Sequence, residues 1–190
     1  MEKCIQAEEG CQIIFLRNCD QWPGMVRLQK RKPDDIKMSK PFEDVTNNIK
    51  IRPAKKDDIS SLGSLCDQLG YQQPIELIHE QFEQLSARSE HVIFVATLSN
   101  VEVVGWIHIF VRYLLYYEPH LEIGGIVVDD SYRGNGIGGM LMQRAEEWAR
   151  EKGIKFMMAR TSVIRAGAHR FYEAVGYTQV KQSKVYLKEL

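Results

Sequence analysis

The chain has 190 residues, 44% of them hydrophobic and 26% charged, and its 25 basic residues are balanced by 25 acidic ones. This composition excludes disorder, collagen or coiled coil for the chain as a whole, and the zero net charge lacks the basic excess of many nucleic-acid binders. The length suits one well-buried core with an extension and is short for two full domains.

Residues 1–47 read as an extension. They contain Pro23, Pro33 and Pro41, no sustained periodicity, and a basic cluster from Arg27 to Lys32 followed directly by Asp34 and Asp35. Within them Cys11 to Leu16 suits an edge strand and Lys30 to Lys40 a mobile linker. A cluster so quickly neutralised calls for neither a nucleic-acid nor a membrane partner. The apolar run Ile13 to Leu16 is too short for a signal-peptide core. The most apolar stretch, Gly105 to Tyr117, is broken by His108 and Arg112, and a bilayer span needs roughly 20 apolar residues. A cytoplasmic protein is expected, with Cys4, Cys11, Cys19 and Cys66 as free thiols. Neither these cysteines nor the histidines (His79, His91, His108, His120, His169) fall at metal-ligand spacings, so no metal is expected.

From residue 48 onward the pattern is regular, and residues 48–190 read as one domain. Ile49 to Pro53 alternates as a short strand. Ile59, Leu62, Cys66 and Leu69 mark a helix face, with Asp57 and Asp58 at its start and Gly70 at its end. A second helix starts near Pro74 and aligns Ile78, Phe82 and Leu85. His91 to Leu98 and Val101 to Tyr113 are β-rich and joined across Ser99-Asn100 as a hairpin. Leu121 to Val128 is the next strand, and its Gly124-Gly125 pair predicts a bulge or a close approach by another backbone or a ligand. A helix over 136–152 aligns Ile137, Leu141, Ala145, Trp148 and Ala149, and Gly153 ends it. Ile154 to Arg160 is a strand, Ala166 to Val175 a helix, and Tyr177 to Val180 with Lys184 to Leu187 are two final short strands.

The most informative segment is the strand end Ile126-Val127-Val128 and the run Arg133-Gly134-Asn135-Gly136-Ile137-Gly138-Gly139 that opens a helix. Free backbone N–H groups and the positive helix end meet there, a geometry for phosphate or pyrophosphate, and Arg133 adds a cation. Gly134, Gly136 and Gly139 also satisfy G-x-G-x-x-G. The dinucleotide reading fails, however, because five residues separate strand and first glycine and the next strand ends in Ala159-Arg160 rather than an acidic residue. A ligand-free glycine turn is the other alternative, and four glycines around a helix start exceed its needs.

The run Arg133 to Gly138 resembles the Arg/Gln-x-x-Gly-x-Gly/Ala motif of the GCN5-related N-acetyltransferases. A second segment, Ala168-His169-Arg170-Phe171-Tyr172-Glu173-Ala174-Val175-Gly176-Tyr177, supports the resemblance, which spans about residues 48–190. It implies an α/β fold with a mixed central sheet of about six to seven strands, splayed between strands four and five and flanked by about four helices. It also implies acetyl-CoA as co-substrate. The amides of Arg133, Gly134, Asn135, Gly136, Ile137 and Gly138 would hold the pyrophosphate, and the main chain of Ile126, Val127 and Val128 the pantetheine arm.

Acetyl transfer to an amine needs a deprotonated amine, an oxyanion stabiliser and a proton for the leaving thiolate. Tyr172 matches the family's tyrosine acid; its alternative is a core residue beside Phe171. Glu122 is the candidate base, directly or through water. The family's acidic residue lies nine positions before the loop arginine, where this chain has Gly124, and Glu122 stands two further back on the same strand face. Its alternative is a carboxylate paired with His120 or an arginine. Arg165 replaces the family's usual asparagine and suits contact with CoA or substrate, or a solvated helix start. The expected activity is direct attack of a primary amine, on a small molecule or a peptide, in a ternary complex. The rival is a non-catalytic acyl-CoA-binding regulatory module. Homodimers are common in the family.

Overall fold

A computed structural model describes residues 47–190. The expected edge strand at Cys11 to Leu16, the linker and Cys4, Cys11 and Cys19 lie outside the described residues. Regular structure begins with β1 (Ile49–Pro53), whose Arg52 reaches forward to Asp58 through two hydrogen bonds of 2.7 and 2.8 Å. Asp58 also accepts the Lys55 N–H at 2.7 Å. It thereby closes a one-turn 3-10 segment, Lys56–Asp58, that leads into α1 (Ile59–Leu69). Gly70 ends α1 with φ 98°, a left-handed conformation glycine adopts without a Cβ penalty. Pro74 sets up α2 (Ile75–Ser86).

β2 (His91–Leu98) and β3 (Glu102–Leu114) form the expected hairpin. Ser99 and Asn100 both take positive φ, 51° and 63°, and the Val101 N–H donates to the Leu98 carbonyl at 3.0 Å. This is the left-handed turn whose twist suits paired strands. β4 (Tyr117–Val128) follows antiparallel, then a 3-10 turn at Asp130–Tyr132, α3 (Ile137–Glu151), β5 (Met157–Ala159) and α4 (Ala166–Ala174).

The sheet order is β1-β2-β3-β4-β5, antiparallel except for the parallel β4–β5 pair. Alternation along the strands sends side chains to two cores. On one face Phe94, Ile107, Ile109 and Leu121 pack with the α3 stripe, whose five expected members are all buried. On the other face Val95, Trp106 and Val127 pack under α1 and α2 against Leu62, Leu65 and Phe82.

Five strands are present among the described residues rather than six or seven. The expected strands at Tyr177 to Val180 and Lys184 to Leu187 are not formed, and Ile154 to Arg160 contracts to Met157–Ala159. Val180, Val185, Tyr186 and Leu187 stand in solvent, so no neighbouring strand turns their β propensity into a ladder. No helix among the described residues is long and apolar enough to cross a membrane.

Candidate active site

The site is built where β4 loses its neighbour. β5 pairs with β4 only from Leu121 to Ile123, and beyond Ile123 the β4 edge has no strand partner on that side among the described residues. The sheet is thus splayed, leaving main-chain polar groups of Gly124 to Val128 beside a gap rather than in a ladder. A bulge lies at its mouth: His108 pairs with Gly125 and Ile109 with Ile123, so Gly124 is the extra residue. Gly125 faces Trp106 and Gly124 faces His108; a β-carbon on Gly124 would lie only 2.6 Å from His108 Nδ1. The bulge expected for the glycine pair is present, and the close approach is made by side chains of β3, where another backbone or a ligand was expected.

At the far end of this edge the loop turns into α3. Gly134 and Gly136 take φ 81° and 74°, and no atom lies within 4 Å of where their side chains would start. The first bond into α3 runs from the Met140 N–H to the Gly136 carbonyl, so the amides of Ile137, Gly138 and Gly139 are free of helical partners. Open glycines in front of unbonded amides at a positive helix end fit the diphosphate of CoA. Asn135, 5% exposed, props the turn from beneath by donating to the carbonyls of Tyr132 (2.9 Å) and Arg133 (3.3 Å). Arg133 is folded back: its Nε donates to the Val128 carbonyl at 2.9 Å, and its Nη2 lies 2.7 Å from Asp130 Oδ1.

Gln68 of α1 anchors the same loop. Its amide donates to Asp129 Oδ2 at 2.8 Å, and its oxygen accepts the Asp130 N–H at 2.9 Å. Burial pushes the Asp129 carboxyl up, but hydrogen bonds from Gln68 and Ser131 and the nearby Arg133 outweigh it and hold the group below its ordinary range.

Tyr172 lies on α4, its ring edge-on to Phe171 at 5.4 Å and 5.7 Å from the Tyr177 ring. It packs on the core that also takes Ile126 and Val128. Burial raises its phenol above the ordinary value, partly offset by Arg165, so the hydroxyl holds its proton at neutral pH. Arg165 begins α4 and donates to the Leu69 carbonyl at 3.0 Å, tying α4 to the end of α1.

A family model described as the acetyltransferase (GNAT) family matches residues 61–177. The chain belongs to the GNAT family. This GNAT chain is 32% identical over 139 residues, 72% of its own length and 90% of the relative's, to the aminoalkylphosphonate N-acetyltransferase of Salmonella typhimurium. It is 25% identical over 107 residues, 54% of its length and 70% of the relative's, to an aminoglycoside N(6')-acetyltransferase of Stenotrophomonas maltophilia. Its fold matches a crystal structure of an aminoglycoside 6'-N-acetyltransferase from Acinetobacter baumannii with a TM-score of 0.67 and 18% identity, covering 75% of this chain and 99% of that one. A related enzyme solved with a CoA-linked bisubstrate analogue matches with a TM-score of 0.68 at 20% identity, covering 75% and 99%. The GNAT chain is an N-acetyltransferase with acetyl-CoA as the acyl donor.

In this GNAT domain Glu122 is 7% exposed and held by two arginines. Arg112 Nη1 meets one carboxylate oxygen at 2.5 Å, and Arg160 Nε meets the other at 2.9 Å. His120, the other partner considered, directs Nδ1 to the Glu118 carbonyl instead. Cys66 is half-buried, and burial, with Asp67 adding to it, pushes its thiol up to about 11, so it stays protonated. Tyr113 and Tyr116 stand 66% and 81% exposed at the β3–β4 hairpin. Sequence reasoning missed Gln68, Arg112 and the pair His91 and His108. Only His108 carried a signal, as a polar residue within an apolar strand opposite the glycine pair.

Proposed function

We propose that residues 48–190 transfer the acetyl group of acetyl-CoA directly to the primary amine of a small acceptor, with Tyr172 as the acid for the departing thiolate. The observation that carries this reading is the open β4 edge running from the β5 end to the free amides of α3. Ile126, Val127 and Val128 meet the pantetheine arm along that edge, and Arg133 to Gly138 meet the diphosphate. Because Val128 already gives its carbonyl to Arg133, Arg133 acts first by shaping the strand end. The amine nitrogen attacks the thioester carbonyl carbon, the C–S bond breaks, and the Tyr172 hydroxyl donates its proton to the sulfur. Glu122 positions the acceptor wall, since both its oxygens already accept from guanidinium groups.

The same cluster favours an acceptor that carries an anion. Arg112 and Arg160 bring two positive charges to one carboxylate, and the surplus suits a phosphonate or carboxylate on the amine substrate. The name of the Salmonella relative, an aminoalkylphosphonate N-acetyltransferase, agrees with it. Acetyl-CoA-dependent thiol release measured across an amine library tests both levels. Turnover of 2-aminoethylphosphonate well above that of the aminoglycoside kanamycin is expected. Preference for kanamycin would overturn the anionic acceptor, and acetyl-CoA binding with no transfer to any amine would favour the binding module.

A further inference from the structure

The position that would hold the base is a glycine, and a histidine from the neighbouring strand fills its place. Gly124 is exposed at the splay, and the His108 ring lies where a side chain on Gly124 would project: an added β-carbon would sit 2.6 Å from Nδ1 and 3.2 Å from Cε1. The other ring nitrogen of His108, Nε2, lies 3.1 Å from His91 Nδ1. Phe110 stacks on His91 at 5.0 Å with an interplanar angle of 13° and borders His108 at 5.7 Å, keeping the two imidazoles aligned. His91 in turn lines a cleft of about 180 Å³ between α2 and β2, with Phe82, Leu85 and Ser86. The two rings form a polar connection from the splay to the surface through an otherwise apolar sheet face.

We propose that His108 is the group that takes the proton of the attacking amine and that it passes a proton through His91 to water. The proposal rests on the acetyl-transfer reading above. The geometry suits one tautomer: His108 Nε2–H donates to His91 Nδ1, leaving His108 Nδ1 as a bare acceptor beside Gly124. A proton of the substrate ammonium moves to His108 Nδ1, and the freed nitrogen lone pair attacks the thioester carbonyl carbon. The Nε2 proton moves to His91 Nδ1, and the His91 Nε2 proton leaves to water. Tyr172 protonates the thiolate and takes back the second proton that the acylated nitrogen sheds, so charge and protons balance, and exchange with water in reverse order resets the rings once product has left.

The surroundings keep the wire neutral between turnovers. Burial, helped by the adjacent His91, lowers the His108 imidazole to about 4, and burial with Arg88 lowers His91 against a smaller opposing effect from Glu90. Both rings are therefore unprotonated at neutral pH, each with a bare nitrogen able to accept a proton. Glu122, two residues from Gly124, is already paired to Arg112 and Arg160.

The test uses the full chain with acetyl-CoA and 2-aminoethylphosphonate, or, if that is not turned over, the amine from the library that is. His108→Gln is expected to lower kcat/KM by about 10²-fold or more at pH 7. The deficit should shrink as pH rises and the amine arrives already deprotonated, while acetyl-CoA affinity by calorimetry is unchanged. His91→Gln should show a smaller deficit of the same pH dependence, and the double variant no more than His108→Gln alone. A His108→Gln enzyme with wild-type kcat/KM at pH 7, or with the same deficit at every pH, overturns the relay while leaving acetyl transfer intact. A wild-type chain that transfers to no amine overturns the function reading itself, and the relay with it.

Discussion

Gly138 of α3 lies directly against Phe171 of α4: a β-carbon at 138 would approach the ring's Cε2 to 2.9 Å. A glycine whose amide belongs to the proposed diphosphate site is therefore also the residue that seats the helix carrying Tyr172. Gly138→Ala should push Phe171 and its neighbour Tyr172 outward, at a cost of about 1–3 kcal/mol for overpacking. A lower Tm with reduced kcat is expected, and Phe171→Leu should restore part of both. A Gly138→Ala enzyme with wild-type Tm and kcat would break this link.

Tyr172→Phe removes the hydroxyl proposed as the acid and little else, because the ring contacts with Phe171 and Tyr177 survive. The expected result is a fall in kcat of about 10²-fold or more with the KM for acetyl-CoA kept. Burial, only partly offset by Arg165, raises the phenol above its usual value. Loss of its acidic form should therefore cause no alkaline fall in rate below about pH 10. The rate profile of wild type against Tyr172→Phe checks both points.

Asn135→Ala leaves the carbonyls of Tyr132 and Arg133 without their buried donor. The turn should relax and acetyl-CoA should bind about tenfold more weakly, the equivalent of one lost hydrogen bond. Titration calorimetry measures it, with kcat at saturation little changed.

Asp58 links folding to pH. Burial alone would raise its carboxyl, but the hydrogen bonds from Arg52 and from the Lys55 N–H lower it below its ordinary value. A carboxylate lowered in the folded state contributes stability above its unfolded value near 3.9 and loses it as pH falls through the folded value. Unfolding free energy should therefore drop below about pH 4. Asp58→Asn should flatten that drop while costing about 1.5–3 kcal/mol at pH 7.

Glu122→Gln should lower Tm, because Arg112 and Arg160 lose a common partner. The acidic limb of the pH-rate profile should survive the change; its disappearance would return Glu122 to the role of base.

Local patterns proved readable where the physics is local. The Ser99-Asn100 turn, the Gly70 stop and the buried stripe of α3 each depend on residues within a turn or two of one another. Strand existence did not read as well at the C-terminal end, where Val185 and Tyr186 have strand propensity but no partner among the described residues. The glycine loop was legible because the groups proposed to meet the diphosphate are consecutive along the backbone.

The sequence by itself determined the family, the loop over 133–138 and the identity of Tyr172 as the phenol on the following helix, since each is carried by a contiguous run of residues. Only the tertiary structure decided which side chains share the splay. Glu122 finds Arg112 ten positions back and Arg160 thirty-eight ahead, and His108 enters the space of Gly124 because a one-residue bulge turns that glycine toward β3. Register and bulge position set such neighbours, and they follow from how whole strands bury their faces rather than from any short stretch of chain.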